Sequence, residues 1–250
     1  MNILVTGAGG FIGGWVVESL YLRMAGNVRA GIRRWPSAAR IGRFPVNIVL
    51  CDVLDWNQVR QAVEGSDVVV HCAYGPREVN VNGTENVLKA SLQTGIKKFI
   101  HLSTIDVYGG IEGEVDENLP CRYTGSEYGD SKIDAEKLCW EYFGKGLPLV
   151  VLRPTIVYGP FCKLWIAKFA ERLQSGNWGV FKGVGGGLCN LVYIADLLNA
   201  VFLSLEVDKA TVQAFNINGN ETISWNEYFS RFNEALGLPR LREIGIGKSK

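Results

Sequence analysis

Residues 3–13 read Ile3-Leu4-Val5-Thr6-Gly7-Ala8-Gly9-Gly10-Phe11-Ile12-Gly13, a β-branched apolar run that stops in a cluster of glycines and passes at once into an amphipathic segment. That order predicts a strand, a tight turn and a helix. Gly7 permits the turn, Gly10 lets backbone N–H groups be approached without a Cβ in the way, and Gly13 allows helix and strand to pack closely. A helix beginning there directs its unpaired first amides, and their partial positive charge, at the turn. At a first strand-to-helix junction this predicts a pyrophosphate site, hence a dinucleotide cofactor; the alternative is a purely structural turn.

Working outward, short β-branched runs alternate with longer helical patterns. Strands are predicted at 3–6, 28–32, 47–51, 68–72, 98–103, 149–153 and 214–217. Helices are predicted at 13–24, 56–63, 79–93, 126–143, 163–175, 194–205 and 224–236. Continuous apolar strands are buried on both faces, so the prediction is an α/β protein with a doubly wound parallel sheet. From about Gly159 the alternation weakens, and Gly183-Val184-Gly185-Gly186-Gly187 reads as a mobile loop. The expected division is a dinucleotide-binding domain over 1–158, then a small substrate-binding lobe over 159–250 with segments returning to the core. The tail from Gly245 to Lys250 reads either as a frayed end or as the point where a longer chain was cut.

Composition narrows the function classes. The chain has 250 residues, 26 Lys+Arg against 25 Asp+Glu, and 47% hydrophobic residues, which excludes dominant disorder and predicts a soluble globular protein. A net charge of +1 leaves no electrostatic footprint for a nucleic-acid backbone. Cys51, Cys72, Cys121, Cys139, Cys162 and Cys189 are scattered, with no C-x-x-C pair and no nearby second histidine, so reduced thiols and no metal site are expected. The start of the chain lacks a basic n-region, and no apolar stretch approaches the ~18–20 residues of a membrane span, which makes cytoplasm the default.

Read as T-G-x-x-G-x-x-G, the glycine turn resembles that of the extended short-chain dehydrogenase/reductase superfamily, the NAD(P)-dependent epimerases and dehydratases. The resemblance implies a Rossmann fold. NAD enzymes usually end their second strand with a carboxylate for the ribose 2′-hydroxyl. Here that stretch is Ala30-Gly31-Ile32-Arg33-Arg34, so NADP(H) is expected over NAD(H), with solvated loop charges as the alternative. Asp52-Val53 resembles the acidic segment beside the adenine, or is a turn-initiating Asp. In His71-Cys72-Ala73-Tyr74, similar to the family's fourth-strand motif, small side chains let the backbone meet the ribose, and His71 reads as a packed strand residue. The family's cofactor contacts thus carry over onto Gly7, Gly10, Phe11, Ile12, Gly13, Arg33, Asp52, Val53, Ala73, Tyr74, Lys132, Pro154 and Ile156.

Tyr128-Gly129-Asp130-Ser131-Lys132 places Tyr128 and Lys132 four residues apart on one helix face, about 115 residues after the glycine turn. A phenol titrating near 10 needs an adjacent ammonium and an oxidised nicotinamide to work at neutral pH. In Ser103-Thr104-Ile105-Asp106-Val107-Tyr108-Gly109 the family pattern implies that Thr104 hydrogen-bonds the reacting oxygen, with Ser103 at the strand end. Thr104, Tyr128 and Lys132 are therefore the expected catalytic set, and Thr104, Asp106 and Tyr128 the expected substrate contacts. Asn80 matches a family helix asparagine or packs as a structural amide. Segments 152–160, 192–197 and 215–219 carry further resemblance.

Departures limit the substrate reading. Nucleotide-sugar members often carry Asn where this chain has Ile156 and Arg where it has Cys189, both near the substrate diphosphate. Dehydratases commonly follow the catalytic Thr with Asp-Glu; here the pair is Ile105-Asp106. Three readings stay open: an NADP(H)-dependent reductase or dehydrogenase acting on a small-molecule substrate, a nucleotide-sugar epimerase or dehydratase with tightly held cofactor, and a non-catalytic cofactor-binding regulator. The resemblance also implies a homodimer through 79–93 and 126–143.

Overall fold

A computed structural model gives the structure of residues 1–245; residues 246–250, most of the tail discussed above, lie outside the described residues. In chain order the first elements are β1 (Asn2–Thr6), α1 (Phe11–Leu22), β2 (Asn27–Ile32), β3 (Asn47–Leu50), α2 (Trp56–Val63), β4 (Val68–His71), α3 (Thr84–Thr94), β5 (Lys98–Leu102), α4 (Glu127–Gly144) and β6 (Leu149–Pro154). There follow β7 (Ile156–Tyr158), α5 (Lys168–Gln174), β8 (Val180–Lys182), β9 (Leu191–Tyr193), α6 (Ile194–Glu206), β10 (Gln213–Ile217), α7 (Trp225–Ala235) and β11 (Glu243–Gly245).

Seven parallel strands form one sheet in the order β10-β6-β5-β4-β1-β2-β3, the doubly wound arrangement that the alternation predicts. The chain reverses its direction of travel between β1 and β4, where Thr6 pairs with His71. In such sheets the crevice outside the carboxyl ends at the reversal is where ligands bind. Leu4, Val69, Phe99, Leu149 and Val151 pack with Val59, Val87, Leu88 and Cys139 into a largely aliphatic core. The chain divides into two compact units, one of residues 1–154 and 197–217, the other of 155–196 and 218–245.

The second unit is built differently. Two parallel pairs, β7 with β9 and β8 with β11, are too short to bury a core of their own. Aromatic rings fill it instead: Phe169, Tyr228 and Phe229 with Trp165, Trp178, Phe181 and Trp225. All four of these short strands escape the sequence pattern, because three residues are too few to show a period.

Two further expectations need correcting. The helix predicted at 79–93 opens as a π-turn over Val79–Gly83, and that predicted at 163–175 opens as another over Lys163–Ala167. The two histidines are not remote: β4 and β5 pair His71 with His101, and the rings stack at 5.6 Å. Among the described residues no group of three or more His, Cys, Asp or Glu could hold a metal ion, and no helix is long and apolar enough to cross a membrane. All six cysteines are unbridged.

Candidate active site

The glycine turn is shaped by backbone contact. Gly7 has φ +64°, and a Cβ there would lie 2.7 Å from the Ala73 backbone; at Gly13 it would lie 2.3 Å from the Gly7 carbonyl oxygen. Gly9, which the sequence reading did not single out, is closed against Ser37 in the same way. Gly10 stands in extended backbone before α1 and no side chain caps the helix; the first bond into it runs from Gly14 N to the Gly10 carbonyl at 3.0 Å. The amides of Phe11, Ile12 and Gly13 therefore have no intrahelical acceptor, and the first turn carries no acidic residue. A helix start with three bare donors, no capping side chain and no acidic residue fits a pyrophosphate.

Arg33 and Arg34 follow β2 directly, exposed, and among the described residues neither side chain has an ion pair. Asp52 shapes a turn through its carboxylate, which accepts from Leu54 N at 3.1 Å. Val53 is buried against Gly83, and its carbonyl accepts from Asn86. His71 is buried and hydrogen-bonded to Thr6 and Thr84 at 2.8 and 3.0 Å; burial, reinforced by the Lys132 charge, holds it neutral at about 3. Asn80 is spent on packing: it accepts from Gly75 N and donates to the Ser131 hydroxyl, both at 2.9 Å.

The start of α4 is locked before Tyr128 is reached. Ser126 caps the helix by accepting from Gly129 N, and the Asp130 carboxylate accepts from Thr124 and Gly125, each at 2.9 Å. Tyr128, 39% exposed, and the nearly buried Lys132 then follow one helical turn apart. Thr104 leaves β5 in extended backbone and accepts from Asp106 N at 3.2 Å, its hydroxyl close enough to the Tyr128 phenol to act on it. Burial pushes the phenol up to about 12; the Thr104 hydroxyl opposes that shift, while the Asp106 carboxylate and Tyr74 add to it. Burial brings the Lys132 ammonium down to about 8. Lys132 donates to the Leu102 carbonyl at 2.6 Å, and among the described residues no hydrogen bond joins it to the phenol.

One turn beyond Lys132, Glu136 belongs to a buried network that the sequence reading missed. Arg153 on β6 donates to both Glu136 oxygens, at 2.6 Å through Nη2 and 3.0 Å through Nε, and to the Tyr108 hydroxyl at 2.6 Å. Tyr108 donates to Asn216 at 2.8 Å, and Ser103 donates to Glu136. Burial opposes the Arg153 charge, but Glu136 outweighs it and raises the guanidinium above its ordinary value. The available signal was Glu136 itself, a carboxylate on the buried stripe of α4, which requires a buried cation.

Pro154 ends β6 in the first unit, buried. Ile156 belongs to the second, where its N–H donates to the Asn190 carbonyl and its side chain packs against the aromatic core. Cys189 is buried in that same core, and burial raises its thiol to about 12. The second unit also holds a cleft of about 450 Å³ lined by Tyr158, Tyr193, Tyr228, Asp196, Glu221 and Arg231, among others.

Comparison with known proteins agrees with this arrangement. UDP-glucose 4-epimerase of Vibrio cholerae is 29% identical over 95% of this chain and 76% of its own length. The 2-alkyl-3-oxoalkanoate reductase of Stenotrophomonas maltophilia is 28% identical over 96% of this chain and 77% of its own. The crystal structure of UDP-glucuronic acid 4-epimerase from Bacillus cereus in complex with NAD superposes with a TM-score of 0.86 and 26% identity, covering 98% of this chain and 85% of that one. Residues 3–218 match the NAD dependent epimerase/dehydratase family, and the chain belongs to it, as an enzyme of the extended short-chain dehydrogenase/reductase type.

Proposed function

We propose that this chain is an NADP(H)-preferring oxidoreductase that moves hydride between nicotinamide and a hydroxyl or carbonyl carbon, with Tyr128 as acid and base. The observation that carries the reading is the Thr104 hydroxyl beside the Tyr128 phenol, with Lys132 one turn on, in the same compact unit as the Gly7–Gly13 turn. The amides of Phe11, Ile12 and Gly13 would hold the pyrophosphate, Arg33 the 2′-phosphate, Lys132 the ribose hydroxyls, and Ala73 and Pro154 would frame the nicotinamide half. When bound, the nicotinamide supplies the hydride donor or acceptor. Thr104 orients the substrate oxygen. Tyr128 would give its proton to that oxygen in the direction of carbonyl reduction, with the Lys132 ammonium and the bound cofactor bringing the phenol down from its raised value. Tyr128→Phe is expected to lower kcat by about 10³-fold with NADP(H) affinity retained; turnover that survives the change overturns the assignment.

A second reading, a nucleotide-sugar epimerase or dehydratase that retains its cofactor, is favoured by the likeness to the Vibrio cholerae epimerase and the NAD-bound Bacillus cereus structure. Against it stand Ile156 and the buried, neutral Cys189, which offer a diphosphate no polar contact. Absorbance of the purified protein decides: retained NAD supports the epimerase, and exchangeable binding with NADP preference supports the reductase. The proposal includes a cytoplasmic homodimer through α3 and α4, which sedimentation velocity tests.

A further inference from the structure

We infer that Tyr74 determines specificity at this site, as a platform for an aromatic group joined to the carbon that reacts beside Tyr128. The inference rests on the acid/base reading of Tyr128. Tyr74 exposes 74% of its surface, more than any other aromatic side chain among the described residues. Its ring stands edge-on to the Tyr128 ring, with centroids 6.4 Å apart and planes at 81°. That separation is within the range in which aromatic pairs attract, so a third ring entering beside Tyr128 meets a face already set for it.

The backbone that carries the ring is tied down. Gly75 N donates to Asn80 Oδ1 at 2.9 Å, and two residues on, Arg77 is ion-paired with Asp134, which also accepts from Tyr123. Beside it opens a cavity of about 370 Å³ lined by Gly75, Pro76, Arg77, Glu127, Tyr128 and Ser131. The single cation in that lining, Arg77, is committed to Asp134, while among the described residues the Glu127 carboxylate has no ion pair. Asp106 adds a second carboxylate close enough to act on Tyr128. An anionic group next to the reacting carbon would be repelled, and Tyr74 offers an apolar contact in its place.

The test is titration calorimetry of cinnamyl alcohol and hexan-1-ol into the protein saturated with NADPH, a pairing in which no hydride can move. The wild type is expected to prefer the aryl alcohol. Tyr74→Ala should reduce that preference about tenfold, and Tyr74→Phe should retain it. Circular dichroism melts confirm that the variants remain folded. Equal preference in wild type and Tyr74→Ala, or no preference in the wild type, overturns the inference. Aryl binding that depends on Tyr74 without any reduction of cinnamaldehyde by NADPH would sustain the platform and sink the acid/base reading instead.

Discussion

Helix α4 carries two polar centres one turn apart, and they are electrostatic opposites. At Glu136 the carboxylate meets a guanidinium on two edges, and the Ser103 and Tyr108 hydroxyls complete the set. At Tyr128 and Lys132 burial moves both groups away from their ordinary values, the phenol to about 12 and the ammonium to about 8, and no counter-ion bonds to either. A closed network holds β6 to the helix. A centre left electrostatically unbalanced is one that a cofactor and substrate can complete. Burial alone therefore does not mark the site; a charge buried without a counter-charge does.

The contrast can be broken most directly at Glu136. Glu136→Ala leaves Arg153 buried without its counter-charge and is expected to cost about 3–5 kcal/mol of stability in urea unfolding. A loss below about 1 kcal/mol would mean that the closed centre is not closed. Lys132→Met should act in the other direction, stabilising the fold by about 2 kcal/mol at pH 7 while lowering turnover, because a lysine whose folded value is depressed destabilises the protein wherever it must be charged. The gain should be full below about pH 8, shrink as the wild-type ammonium deprotonates, and vanish above pH 10.5, the ordinary lysine value. Paired melts across that range check it.

Arg33 extends the comparison to an open charge. Arg33→Glu should raise the Kd for NADP about tenfold more than that for NAD and leave the melting temperature unchanged; equal losses would show that Arg33 does not read the 2′-phosphate. The smallest effect is expected at Val212, a β-branched residue at φ +77° that touches neither centre. Val212→Gly should relieve strain by up to about 1 kcal/mol with turnover unaffected, separating strain from function.

The two glycine-rich stretches show where reading by sequence succeeds and where it stops. Gly7 to Gly13 sits at a strand-to-helix junction, so its role follows from local order. Residues 183–187 read as a mobile loop, yet they are bound down: Asn226 N donates to the Gly185 carbonyl at 2.9 Å, Trp225 N donates to that of Gly187, and the Asn226 amide occupies the space a Cβ at Gly185 would need. That anchor lies on α7, some 40 residues on, and nothing in a run of glycines announces it.

By itself the sequence determined the succession along the chain of the seven sheet strands and the helices between them, the glycine turn, and the Tyr128–Lys132 spacing. Each of these is a local pattern, set by side-chain periods of 2 and 3.6 and by the few residues a tight turn tolerates. Tertiary structure alone decided the rest. The partners of Glu136 and Tyr108 lie 17 and 108 positions away, the stacked histidines face each other only through strand register, and the second unit's core is assembled from rings on scattered short segments. Whether a buried polar group is neutralised or left unbalanced depends on which distant side chains folding brings beside it, and that information is in the packing rather than in any window of the chain.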